Sequence, residues 1–321
     1  MRVFLTGGTG FIGGEVARLL RERGDHVRAL VRAPEKAAAL TGLGCELVEG
    51  DLSDEQALRT ALKGCEAVVH CAAVYEIGVL PSDRARLVDA NVCGTERVLG
   101  AALAAGVSKA VYVSTVAVFG NTRGEVADEE WERPEGLAFT SAYEQTKVEA
   151  HQRARQLGAQ GLPLVVVQPG VVYGPGDRSE VGGLFDRLLK GRLPLVPFPE
   201  LGVTPVHRDD AAAGIVLALD KGVAGESYVL AGEHTTMGEL LAELARVAGK
   251  RAPFAALPSV MVKAIAPVGR FVGPLLGFPP NLREVLTSSH DVTFWARSDK
   301  AQRELGWTYR PLDEGLRTVL P

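Results

Sequence analysis

Apolar and polar positions along the first half of the chain keep two alternating rhythms. Short, largely apolar runs recur at 3–5, 27–31, 46–50, 67–70, 110–115 and 164–167. Between them lie longer segments at 15–23, 55–63, 85–105 and 143–157 with apolar residues at helical spacing, the second opened by the capping pair Ser53-Asp54. Apolar strands separated by helices predict a parallel sheet covered on both faces, a doubly wound α/β fold whose ligand lies at the carboxyl ends of the strands. The rhythm breaks after Pro169. The chain therefore divides into 1–168 and a smaller carboxyl-terminal domain, 169–321, that closes over the ligand, with about 201–220 packing back on the first sheet.

The first strand runs straight into Thr6-Gly7-Gly8-Thr9-Gly10-Phe11-Ile12-Gly13 and then a helix. Glycines at a strand-to-helix turn let the backbone approach a ligand, and the helix start offers unpaired N–H groups to a pyrophosphate. A dinucleotide site is expected there. At the end of the second strand, where an acid would pair with the ribose of NAD, the chain has Val31-Arg32-Ala33-Pro34. Arg32 suits a 2′-phosphate, so NADP(H) is preferred, with NAD(H) possible.

Composition adds exclusions. The net charge of −4 over 321 residues gives no reason to expect nucleic acid. Cys45, Cys65, Cys71 and Cys93 form no C-x-x-C pair, and the six histidines do not cluster, so no metal site and no disulfide framework are expected. Reduced thiols and a first segment that already reads as a core strand suit a cytoplasmic protein without a signal peptide. The apolar stretch 257–280 is broken by Pro and Gly and carries Lys263 and Arg270. It reads as a flap or buried helix pair, not an integral membrane segment, with a peripheral membrane contact as the alternative.

Tyr143 and Lys147 stand four apart in a helical stretch, on one face. A fixed ammonium beside a phenol favours the phenolate and lowers its pKa toward the working range of an acid–base catalyst. Ser114 and Thr115 end the fifth strand, where a hydroxyl can hold a substrate oxygen. His70, His207 and the Asp209-Asp210 pair read as structural, the pair as a helix cap.

The glycine turn, Gly50-Asp51-Leu52, His70-Cys71-Ala72-Ala73, Asn91-Val92-x-Gly94-Thr95, Ser114-Thr115 before Val118-Phe119-Gly120, Tyr143-x-x-x-Lys147, the run 168–177 and Val206–Asp210 occur in that order. Together they resemble the extended short-chain dehydrogenase/reductase family, of the NAD-dependent epimerase/dehydratase type. The stretches 30–32 and 301–307 look most like bacterial dihydroflavonol reductase and 3β-hydroxysteroid dehydrogenase relatives. The resemblance implies a Rossmann domain and a substrate domain. It makes Tyr143 the general acid/base, Lys147 its partner and a ribose ligand, Thr115 the substrate-orienting hydroxyl and Asn91 a supporting residue. It assigns the cofactor to Gly7, Thr9, Gly10, Phe11, Ile12, Arg32, Asp51, Leu52, Cys71, Ala72, Ala73, Tyr143, Lys147, Pro169, Gly170 and Val172. Substrate contacts fall on Tyr75, Thr115 and Tyr173. Two positions depart from the family pattern: Phe119 stands where Tyr is usual, and Gln168 where Arg is frequent.

The expected activity is hydride transfer between NADP(H) and the carbonyl or secondary alcohol of an apolar small molecule, because the second domain is strongly apolar. Epimerisation or dehydration of a nucleotide sugar with recycled NAD is the alternative. A non-catalytic NADP-binding interaction protein is a minor one. The family commonly forms a homodimer through the helices bearing Asn91 and Tyr143.

Overall fold

The structure, a computed structural model, describes residues 1–253, 255–257, 262–263, 266–268 and 279–321. Most of the expected 257–280 flap lies outside the described residues. No helix among the described residues is long and apolar enough to cross a membrane.

The strands β1 (Arg2–Thr6), β2 (His26–Val31), β3 (Glu46–Glu49), β4 (Ala67–His70), β5 (Lys109–Val113) and β6 (Leu164–Pro169) lie where the apolar runs predict. They pair in parallel in the spatial order β6-β5-β4-β1-β2-β3. The helices α1 (Phe11–Glu22), α2 (Glu55–Leu62), α3 (Gly94–Ala105) and α4 (Ala142–Ala159) cover the two faces. Strand alternation divides the core between those faces. Val3, Leu5, Val111, Val113, Val165 and Val167 pack toward α1, whereas Phe4, Val68, Tyr112 and Val166 pack toward α2, α3 and α4. Asp54 caps α2 by accepting the Ala57 N–H at 2.9 Å, as the sequence suggests.

Beyond Pro169 the chain forms β7 (Val171–Tyr173), α5 (Glu180–Leu189), β8 (Pro205–His207), α6 (Arg208–Lys221), β9 (Ser227–Leu230), α7 (Met237–Val247) and α8 (Leu282–Ser289). Helix α6 packs against α1. The strand β9 was not anticipated. It pairs in parallel with β6 and completes a seven-stranded sheet from beyond the expected boundary at 168. A separate core gathers Tyr173, Leu184, Phe185, Leu240, Leu241, Leu244 and Leu316 beside that sheet.

Two expected roles change. The cap of α6 is His207, which accepts the Asp209 N–H at 3.2 Å. Asp209 and Asp210 sit in the first turn instead, and Asp210 holds Arg310 in a two-oxygen ion pair at 2.7–3.1 Å. Acids there suit the helix dipole. The long helix expected over 85–105 is interrupted by a π-helical turn, Asp89–Cys93, which contains Asn91.

Candidate active site

The glycine turn forms an open cradle. Gly7 has φ +73°, and a Cβ there would lie 2.7 Å from the Ala72 nitrogen. A Cβ on Gly13 would lie 2.2 Å from the Gly7 oxygen, so the first turn of α1 rests directly on the loop. No side chain caps α1, and its first turn carries no acid. The N–H groups of its first turn thus receive no side-chain cap and face no repelling charge, which fits a dinucleotide pyrophosphate. Thr9 and Gly10 are exposed and Phe11 and Ile12 half-buried along this edge.

The far wall of the cradle is fixed by a buried hydrogen-bond chain. Thr95 donates to the Asn91 carbonyl at 2.7 Å, which leaves its oxygen to accept from His70 Nε2 at 3.1 Å. His70 Nδ1 then accepts from the Thr6 hydroxyl at 2.6 Å, and Thr6 accepts the Ala72 N–H at 3.3 Å. The chain sets the histidine tautomer and ties Cys71, Ala72 and Ala73 to β1. His70 is fully buried and its pKa is pushed down to about 3, mainly by desolvation and then by the Lys147 charge. It is structural, as expected.

The predicted chemistry residues converge at the carboxyl end of β5. Lys147 is 2% exposed and donates to the Tyr112 hydroxyl at 3.2 Å and the Val113 carbonyl at 3.1 Å. Tyr143 lies one turn earlier on α4, and Thr115 caps the short turn Val116–Phe119 by accepting the Ala117 N–H at 3.2 Å. Thr115 therefore has both a capping role and a place beside the phenol. Burial raises the Tyr143 pKa, while the Lys147 charge and the Thr115 hydroxyl act against that rise. The spacing argument expects a net fall; the side chain's burial reverses the sign. Burial likewise lowers the Lys147 pKa, opposed by Tyr143 and Cys71.

Asn91 supports this centre from the π turn. Its oxygen accepts the Val74 N–H at 2.7 Å, and its amide donates to the Val74 carbonyl and the Thr146 hydroxyl, each at 3.0 Å. It thereby joins the 71–80 loop to α4. Tyr75, 49% exposed on that loop, places its ring edge-on to Tyr143 with centroids 4.8 Å apart.

The remaining assignments separate. Arg32 and Asp51 are exposed at the strand ends near the cradle, with Leu52 half-buried. Pro169, Gly170 and Val172 line the end of β6 and the start of β7. Tyr173 does not join the site. It is 2% exposed, packs edge-on against Phe185 and His207, and abuts Gly315, where an added Cβ would lie 2.1 Å from its hydroxyl. Alternation along β7 turns Val172 to one side and Tyr173 to the other. Phe119 is also buried, with its backbone carbonyl accepting the Trp131 indole N–H.

Sequence reasoning missed three contacts around this centre. Tyr112 anchors Lys147, the Ser114 hydroxyl and His151 Nδ1 share a hydrogen bond at 2.9 Å, and Glu284 reaches the start of α4. The Tyr112 and Ser114 alternation offered a signal for the first two, because both side chains leave β5 toward α4.

The profile of the NAD dependent epimerase/dehydratase family matches residues 3–231, and the chain belongs to that family. A Synechocystis sp. protein provisionally named dihydroflavonol 4-reductase is 33% identical over 98% of this chain and 92% of its own. A 2-alkyl-3-oxoalkanoate reductase of Stenotrophomonas maltophilia is 33% identical over 99% and 98%. A 3 beta-hydroxysteroid dehydrogenase/Delta 5-->4-isomerase of Mycobacterium tuberculosis is 29% identical over 100% and 90%. Among solved structures, gox2253 superposes with a TM-score of 0.83 at 33% identity, covering 99% of this chain and 96% of that one. MoeE5 in complex with UDP-glucuronic acid and NAD gives 0.79 at 25% identity, covering 100% and 98%. The chain is an NAD(P)-dependent enzyme of the extended short-chain dehydrogenase/reductase type.

Proposed function

We propose that this enzyme reduces a carbonyl group of an apolar small molecule with NADPH. The observation that carries the reading is the meeting of Tyr143, Lys147 and Thr115 at the end of β5, with burial keeping the phenol protonated. Reduction of a ketone requires a proton donor, and a phenol whose pKa is raised holds its proton at neutral pH. The nicotinamide, when bound, supplies the hydride.

The chain's own groups divide the remaining work. Thr115 presents a hydroxyl to the substrate oxygen, and Tyr143 gives that oxygen its proton. Two of the three ammonium donors of Lys147 are occupied by Tyr112 and Val113, so its direction is fixed and one N–H is left for Tyr143 or the ribose. Tyr75 shields the ring face of Tyr143 from water. Gly7, Gly10, Phe11 and Ile12 would hold the pyrophosphate, Arg32 the 2′-phosphate, and Asp51 with Leu52 the adenine. Reductase names among the relatives support the same direction.

The NAD held by MoeE5 favours one other reading, a nucleotide-sugar reaction with recycled cofactor. Mass spectrometry of the nucleotide that stays with the dialysed protein separates them. Retained NAD overturns the reductase reading. NADP(H), or an empty site that takes NADPH in preference to NADH, supports it. A homodimer through α3 and α4, measurable by sedimentation, and residence in the reducing cytoplasm belong to the same proposal, the latter in keeping with four free cysteines.

A further inference from the structure

We infer that Glu284, on α8 of the second domain, is a positioning residue that holds Tyr75 and Tyr143 against each other. This rests on the reading of Tyr143 as proton donor. The residue stands 142 positions after Ala142 in sequence, yet Glu284 Oε1 accepts the Ala142 N–H at 2.7 Å. Ala142 is the first residue of α4 and directly precedes Tyr143.

The start of α4 already has a complete local cap. Ser141 accepts the Glu144 N–H at 3.0 Å, and Glu144 Oε2 returns to accept the Thr140 N–H at 2.8 Å. The Ala142 N–H has no acceptor within its own helix, and Glu284, 6% exposed, supplies one from the other domain. Burying a carboxylate is costly unless it is hydrogen-bonded, and here each oxygen has a partner. Glu284 Oε2 accepts from the Asn281 amide at 3.1 Å.

The same short segment grips the loop that carries Tyr75. Asn281 donates its backbone N–H to the Gly78 carbonyl at 3.0 Å and its amide to the Val79 carbonyl at 2.9 Å. Thr287, one turn after Glu284, donates to the Thr140 carbonyl at 2.9 Å. Residues 281–287 thus tie down the 78–79 backbone on one side and the 140–142 backbone on the other. Tyr75 and Tyr143 are the aromatic side chains that meet between these two anchors. Releasing the carboxylate frees one anchor relative to the other, and displacement of a reacting group by about 1 Å costs up to about 100-fold in rate.

The test uses the full chain with Glu284→Ala, Glu284→Gln and Glu284→Asp. Three quantities are measured: NADPH oxidation with para-nitrobenzaldehyde and phenylpropanedione, NADPH affinity by fluorescence, and amide hydrogen exchange. For Glu284→Ala the expected results are a kcat at least about tenfold lower, a carbonyl KM within about threefold, and unchanged NADPH affinity. Exchange should be faster at 74–80 and 140–147 and unchanged in β5. Glu284→Gln keeps a carbonyl oxygen for the Ala142 N–H and should restore most of kcat. If Glu284→Ala does not fold, Glu284→Asp, whose shorter side chain draws the oxygen away from Ala142, should show the same pattern in smaller measure. A near-normal kcat alongside faster exchange overturns the inference. So does a loss of NADPH affinity in step with kcat in both Ala and Gln variants, which marks a merely structural role. Should the unmodified protein oxidise NADPH with neither probe, the reductase reading fails alone, and unaltered exchange in Glu284→Ala would then overturn the clamp independently.

Discussion

The ring of Tyr75 stands edge-on to that of Tyr143, centroids 4.8 Å apart and planes at 82°. This arrangement joins an exposed loop residue to the phenol that lies beside Lys147 and Thr115. Edge-to-face pairs contribute about 0.5–1.5 kcal/mol beyond burial. Tyr75→Phe should therefore keep kcat/KM within about threefold, because the ring remains, whereas Tyr75→Ala should lower it about tenfold. Steady-state kinetics of the two variants check this, and equal losses would move the role of Tyr75 from its ring to its hydroxyl.

Tyr143→Phe removes the proposed proton donor and leaves the shape. Its kcat should fall by about 100-fold or more, the usual contribution of a positioned acid, while NADPH affinity stays within about threefold. The pH profile follows from the raised phenol pKa. Reduction needs the protonated form, so the rate should hold through neutral pH and decline only on the alkaline side, as the phenol ionises. A variant that retains activity would remove Tyr143 from the reaction.

Arg32→Asp places a carboxylate at the position proposed to meet the 2′-phosphate of NADP(H). Loss of a charge-assisted contact and the added repulsion should shift the ratio of NADPH to NADH kcat/KM by about 100-fold toward NADH. Parallel titrations with the two cofactors decide it. An unchanged ratio would leave the preference for NADP(H) without a residue to carry it.

Gly13 admits no side chain. Its added Cβ would lie 2.2 Å from the Gly7 oxygen, inside any real contact distance. Gly13→Ala must therefore push α1 off the loop. The expected cost is about 1–3 kcal/mol of stability, typical of overpacking, together with a marked loss of dinucleotide affinity. Denaturant unfolding and fluorescence titration measure both.

The buried His70 and the half-buried His151 make the fold sensitive to acid. Burial pushes His70 down to about 3 and His151 to about 4, each from an ordinary 6.5. Both are neutral in the fold at neutral pH. As pH falls through about 6.5 the unfolded chain takes up their protons and the native chain does not. Their contribution is complete above that pH and is lost progressively toward about 4 for His151 and about 3 for His70. Between those values each adds a slope of up to about 1.4 kcal/mol per pH unit. His151→Gln should flatten the acid decline by that amount relative to the unmodified protein. Unfolding curves taken at several pH values test this, and identical slopes would refute it.

What was legible in the sequence was local. The glycine turn, the Asp54 cap and the four-residue spacing of Tyr143 and Lys147 depend on neighbours within a few positions, and each lies where spacing puts it. The first six strands followed from apolar runs of the right length. Four features depended on partners remote in sequence and were not legible. Strand β9 belongs to the sheet only because β6 has a free edge, and no pattern in Ser227–Leu230 names that partner. Tyr173 looked like a ligand contact because of its motif, but alternation along β7 turns it into the second core. The direction of the Tyr143 shift depends on how deeply the phenol is buried, which residue spacing does not encode. The Glu284 contact spans 142 positions.

The late position of β9 also has a temporal meaning. During synthesis the chain emerges from its amino end, so β6 is complete some sixty residues before the strand that pairs with it. Through that interval the sheet presents a row of unsatisfied backbone groups along a valine-rich strand, the kind of edge that recruits foreign strands. The first domain becomes a closed folding unit only once Ser227–Leu230 has arrived. A nascent chain halted short of that point is therefore a natural client for chaperones, whatever the stability of the finished enzyme.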